Sequence, residues 1–204
     1  MSENLSARDA KLIQYLNEAY GKEKELETAL QAHIKMAGSR ASYKKRLQDH
    51  LKETKAQAKG LELRIKQLGG KAHAATLPGP EMAAEVASRV TAAATKAIAA
   101  AKGPVHALRG TGEAEKLLKN AKTELWNEYE EIGNYVAIET LAQAVGDADT
   151  EKLARDYRRQ EERMAAFLVK LLPQLTKAVA TEEIPAAERR TATRRRARRP
   201  RTKT

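Results

Sequence analysis

Residues 125–168 read LWNEYEEIGNYVAIETLAQAVGDADTEKLARDYRRQEERMAAFL. Apolar residues recur three and four positions apart up to Gly146 and do so again after GDADT, so the stretch holds two helices. Only a few residues join them, which makes the pair an antiparallel hairpin. Traced outward, the helix before Gly146 reaches back to about Glu113, with Leu117, Ala121, Leu125, Ile132, Tyr135, Ile138 and Ala142 inward. Its partner begins near Thr150 and carries Leu153, Tyr157, Met164, Leu168, Leu171 and Leu175. Pro173 is expected to kink this helix or end its regular part.

The first half of the chain repeats the pattern. A helix from about Ser6 to Ala37 aligns Leu12, Leu16, Ala19, Glu23, Leu26, Leu30, His33 and Ala37 on one stripe. Gly38 ends it, and Ser39 and Ser42 offer caps for a second helix running to about Leu68. That helix has Tyr43, Leu47, Leu51, Leu61, Ile65 and Leu68 on its apolar side. Between the hairpins, residues 70–112 are rich in Gly, Pro, Ala and Thr, with an Ala-rich helix expected over 80–101. A helix of that size covers about 30 Å. It can return the chain along the bundle, which permits a ferritin-like topology with one long crossover. The expectation is an all-α domain over 5–180, a four-helix bundle of two antiparallel hairpins, followed by a disordered Arg-rich tail over 181–204.

Composition agrees and excludes much. The 204 residues contain no Cys, which removes a disulfide scaffold, thiolate ligands and a cysteine nucleophile. No apolar run approaches the roughly 20 residues of a membrane span. Charges throughout the first residues argue against a secretory signal, so the expected location is cytoplasmic. With no strands expected and no Gly-rich phosphate loop in a strand context, hydrolase and dehydrogenase folds are disfavoured.

The chemistry lies in what interrupts the apolar stripes. Glu23 occupies a core position of the first helix and Glu161 one of the fourth. Glu128 and Glu131 lie one turn apart on the third, while His50, Glu53 and Gln57 form a polar patch beside the stripe of the second. Glu23 and Glu131 each stand 15 residues before their glycine turn, and Glu53 and Glu161 each stand 15 after it. The hairpins thus repeat at an offset of 108 residues. Each carboxylate then falls about 22 Å from its turn, so all four helices offer one at a common level. Buried carboxylates cannot all stay ionised unpaired. Inward-reaching bases or metal ions would neutralise them, and an oxygen-rich set with one nitrogen suits Fe or Mn.

On the blocks YGKEKELETAL (20–30), HLKETKAQ (50–57), LELRIKQLGG (61–70), NEYEEIGNY (127–135) and RQEERMAAFL (159–168), residues 8–178 resemble the YciE/YciF-type ferritin-like stress-protein family. In the family these blocks are similar to Y-x-A-E-K-Q-L, H-L-E-E-T-x-x-Q, E-H-Y-E-I-A-x-Y and D-E-E-K-A. The resemblance implies a ferritin-like bundle with a dinuclear metal site and gives Glu23, Glu53, Glu128, Glu131 and Glu161 the carboxylate places. The chain departs from the Glu-x-x-His pattern of ferritins and rubrerythrins. Ala56 follows Glu53, Met164 follows Glu161, and Tyr129 stands where the family has a His between the third-helix carboxylates. His50 could substitute if it faces inward, against a capping or surface role. Tyr20, Tyr135 and Tyr157 each lie one turn from a site Glu and could hydrogen-bond it. His33, His73 and His106 are widely separated and read as ordinary residues.

The net charge of +11 is unevenly placed. Residues 189–204 carry nine bases, Arg189, Arg190, Arg194, Arg195, Arg196, Arg198, Arg199, Arg201 and Lys203, and no acid, leaving a nearly neutral body. Such a run attracts phosphate backbones by counterion release without reading bases, and an anionic membrane surface or acidic protein would serve the same charges. Two readings result. In one, a stress-associated protein holds two Fe or Mn ions, bridged by Glu128 or Glu131 with Glu23, Glu53 and Glu161 as terminal ligands, with ferroxidase-like or peroxide-consuming chemistry as its outer limit. In the other, a metal-free bundle associates with DNA through its tail, in the nucleoid or in stress protection. Homo-oligomerisation is compatible with either.

Overall fold

The structure, a computed structural model, describes residues 5–38, 40–74 and 112–189. The Ala-rich segment 80–101 and residues 190–204 of the basic tail lie outside them. Among the described residues there are four helices and no strand: α1 (Ala7–Met36), α2 (Ala41–Gln67), α3 (Glu113–Val145) and α4 (Ala148–Glu183).

Local chemistry sets the ends. The Ser6 hydroxyl accepts from the Asp9 N–H at 3.0 Å and caps α1. Gly38 and Gly146, at φ +56° and +73°, take the left-handed conformation that lets each hairpin reverse. Past Gly146, the Asp147 N–H returns to the Ala142 carbonyl at 2.9 Å, while the Asp147 carboxylate accepts from the Thr150 N–H at 3.0 Å. Asp147 thereby starts α4 two residues before Thr150. Ser42 does not cap α2: Arg40 occupies the cap position without a side-chain bond. Nor does Pro173 end α4, which continues to Glu183 because Leu171 and Leu175, on either side of the proline, are both buried. Regular structure therefore runs into the first residues of the stretch read as tail.

α1 packs antiparallel on α3, with Lys22 beside Glu130 and Met36 beside Asn120. α2 packs antiparallel on α4, with Arg64 on Thr150 and Asp147. The two hairpin turns therefore sit at opposite ends of the bundle, and the end of α2 is likewise remote from the start of α3. A bundle with one long crossover requires this arrangement.

The interior has two apolar layers. One, near the α1–α2 turn, contains Leu26, Leu30, Tyr43, Leu47, Leu117 and Leu168. The other, near the α3–α4 turn, contains Leu16, Ala19, Leu61, Ile65, Tyr135 and Ile138. Between them lies a polar layer: Glu23, His50, Thr54, Gln57, Glu128, Glu131 and Glu161 are all buried.

Candidate metal centre

Each helix supplies this polar layer through the same spacing. On α3 the buried positions are 114, 117, 121, 124, 128, 131, 135, 138 and 142, alternating by three and four. Glu124, Glu128 and Glu131 thus lie on the core stripe itself, and Leu125 stands at its edge. On α2 the buried run is Tyr43, Leu47, His50, Thr54, Gln57, Leu61 and Ile65.

That run explains a correction. The repeat of 108 residues predicts Glu53 inward, as the counterpart of Glu161. Instead Thr54 is buried, and the Glu53 side chain is 29% exposed at the rim, paired with Arg46 at 3.1 Å. The cause is the turn: α2 begins three residues after Gly38, whereas α4 begins two after Gly146. One extra residue turns a helix by about 100°. The rotation that carries Glu53 out carries His50 in.

His50, Glu128, Glu131 and Glu161 each present a ligand atom, and these atoms all lie within 4.8 Å of one another. His50 Nε2 is 3.0 Å from Glu128 Oε1 and 3.6 Å from Glu161 Oε2. His50 Nδ1 faces Glu53 Oε2 at 3.2 Å. Glu53 is therefore the partner that orients the imidazole, an arrangement that aims the other ring nitrogen at the cluster. Glu23 lies beside the group, accepting a hydrogen bond from the Tyr135 hydroxyl, and Gln57 donates to Glu161. No comparable bond to a carboxylate occurs for Tyr20 or Tyr157 among the described residues; Tyr157 packs edge-on against Tyr135, ring centres 5.6 Å apart.

The electrostatics follow from burial. Desolvation pushes Glu23 up to about 8, the Tyr135 bond and His50 opposing it, and Glu161 up to about 9, against His50. Glu131, fully enclosed and facing Glu23, Glu161 and Glu128, is held well above its ordinary value. Burial alone would lower His50, but its bonds to Glu128 and Glu53 prevail and raise it to about 10. With no metal bound, Glu23, Glu161 and His50 therefore keep their protons near neutral pH.

Its hydrogen bonding stays incomplete. Glu23 Oε2, Glu128 Oε2, Glu161 Oε2 and both Glu131 oxygens are buried without a partner. Orphaned buried oxygens are costly, and several at one level are rare in a native core. An oxygen-rich donor set with one imidazole fits hard or borderline divalent ions, so the residues present could hold such an ion.

Sequence reasoning placed Glu23, Glu128, Glu131 and Glu161 in the interior and left His50 undecided; it set His33 on the inward stripe but read it as an ordinary residue, and it missed Glu124, the partner His33 meets. The signal was present. Continuing the three–four alternation through polar letters picks out positions 50, 57, 124 and 128.

A family model described as a domain of unknown function, DUF892, matches residues 7–181. A search of curated proteins gives no match. Solved structures with this fold include a protein of Xanthomonas campestris pv. campestris, 20% identical with TM-score 0.66 over 87% of this chain and 99% of that one. YcfI of Rhodopseudomonas palustris, named as a candidate structural protein, is 19% identical with TM-score 0.61 over 82% and 96%. A bacterioferritin of Rhodobacter capsulatus, described with a metal-free dinuclear site and haem iron, is 17% identical with TM-score 0.60 over 93% and 100%. At these identities the likeness concerns the fold.

Proposed function

We propose, from the premise that this chain belongs to the DUF892 family, that it is a ferritin-like metal-binding protein holding divalent iron or manganese in its central polar layer. One observation carries this reading: five buried carboxylate oxygens without partners share one level of the core with a buried imidazole, between two mainly apolar layers. His50, Glu128, Glu131 and Glu161 would hold the ions, with Glu23 completing the set. Bound iron or manganese would supply one-electron chemistry toward oxygen or peroxide. The chain's own residues exclude bulk water with the two apolar layers, fix Glu23 through Tyr135, fix Glu161 through Gln57, and orient His50 through Glu53. The dinuclear site named for the bacterioferritin of the same fold supports two ions over one.

Anaerobic addition of Fe(II) or Mn(II), followed by desalting and elemental analysis, tests this. About two ions per chain are expected, lost in a Glu23→Ala/Glu131→Ala variant. A chain that emerges metal-free rejects it.

A second reading concerns the tail. Nine bases without an acid in residues 189–204 favour nonspecific contact with nucleic acid. Deleting 185–204 should abolish a salt-sensitive gel shift; unchanged retardation discards the idea.

A further inference from the structure

A second polar group lies one helical turn from the centre, toward the α1–α2 turn. His33 of α1 contacts Glu124 of α3 through Nδ1. The Glu124 carboxylate is fully buried and its Oε2 has no partner. The Tyr43 hydroxyl of α2, also buried, is likewise unpartnered and lies in the field of Glu124 and Glu128. His33 alone reaches solvent, its side chain 12% exposed. Glu124 and Glu128 are consecutive on the α3 core stripe, about 6 Å apart along the axis. A line of acidic and hydroxyl oxygens thus runs from a surface imidazole to the central cluster.

The pair His33–Glu124 is not needed to close the core. The layer around it is mostly apolar, with Leu26, Leu30, Leu47, Leu117 and Leu168, and there a buried carboxylate with a free oxygen is a liability. Two protein donors hold a divalent ion weakly, leaving water on the remaining positions. Weak binding beside the surface suits transfer better than retention.

We propose that His33 and Glu124 form an uptake site where a divalent cation sheds part of its water before moving past Tyr43 to Glu128. This rests on the central layer binding metal, and the test separates the two. Stopped-flow uptake of Co(II) or Mn(II) by the full chain is compared among wild type, Glu124→Gln and His33→Ala, with Glu131→Gln as the central control. Glu124→Gln keeps the shape of the buried side chain, and His33→Ala changes a side chain at the solvent edge, so at least one variant should retain the fold by circular dichroism. The expected result is uptake slowed threefold or more in the folded variants, with the final number of ions unchanged, whereas Glu131→Gln lowers that number. Uptake slowed less than threefold overturns the uptake site and leaves the central reading standing. A wild-type chain that takes up no ion removes both.

Discussion

Both oxygens of Glu131 are buried and unpaired, so this side chain opposes folding in the absence of metal. Replacing it by an apolar residue of similar length removes that burden without breaking any bond. Glu131→Met should raise the stability of the chelator-treated protein by about 1–3 kcal/mol in urea unfolding, while metal-induced stabilisation disappears. Tyr135 acts in the opposite sense. It donates to Glu23, and Tyr135→Phe leaves a buried carboxylate with no partner on either oxygen. A loss of about 1–3 kcal/mol is expected, and the companion Glu23→Gln/Tyr135→Phe double variant should show that the two changes are coupled.

At the scale of elements, two helix features stand out. α4 carries Pro173 in its interior, where the ring removes one backbone bond and crowds the preceding turn. Burial of Leu171 and Leu175 holds the helix together across it. Pro173→Ala should stabilise by about 1–3 kcal/mol in thermal melts, since the stiffness that proline gives the unfolded chain offsets only part of the gain. The start of α4 depends on Asp147, which caps Thr150 and accepts on both carboxylate oxygens from one nitrogen of Arg64 of α2, Nη2, at 2.6 and 2.7 Å. Asp147→Ala removes the cap and leaves Arg64, mostly enclosed, with only the exposed Asp149 carboxylate at 3.6 Å. The expected cost is about 2–4 kcal/mol. Asp147→Asn, which keeps an acceptor for Thr150, should recover the smaller, capping share.

For the whole molecule, pH and metal act on one linked equilibrium. Folding raises Glu23 and Glu161 from 4.5 to about 8 and about 9, and His50 from 6.5 to about 10. The folded state therefore binds more protons than the unfolded state between those limits. The associated stability is fully present below the unfolded values and is lost as pH rises through the folded ones. The Tm of metal-free protein should fall steadily from about pH 5 to about pH 9. Metal ligands must shed their protons, so the rise in Tm on adding Mn(II) should grow over the same interval. A metal-free Tm that climbs with pH would show that the central carboxylates are ionised by some other compensation.

The sequence by itself determined four amphipathic helices, their pairing into two hairpins at Gly38 and Gly146, and the common level of Glu23, Glu131 and Glu161, with Glu53 wrongly counted among them. These depend on local spacing and on glycine's access to positive φ, which nearest neighbours along the chain dictate. Which face of α2 meets the core was decided only in the tertiary structure. One more residue in the first turn rotates that helix, exchanges Glu53 for His50, and breaks the repeat between the halves. Glu124 escaped notice for a related reason: a leucine beside it appears the better core residue, and only packing against α1, where His33 lies opposite, makes the carboxylate the inward side chain. Spacing along a helix fixes which residues share a stripe, but the rotation of that stripe is set by what lies across the interface.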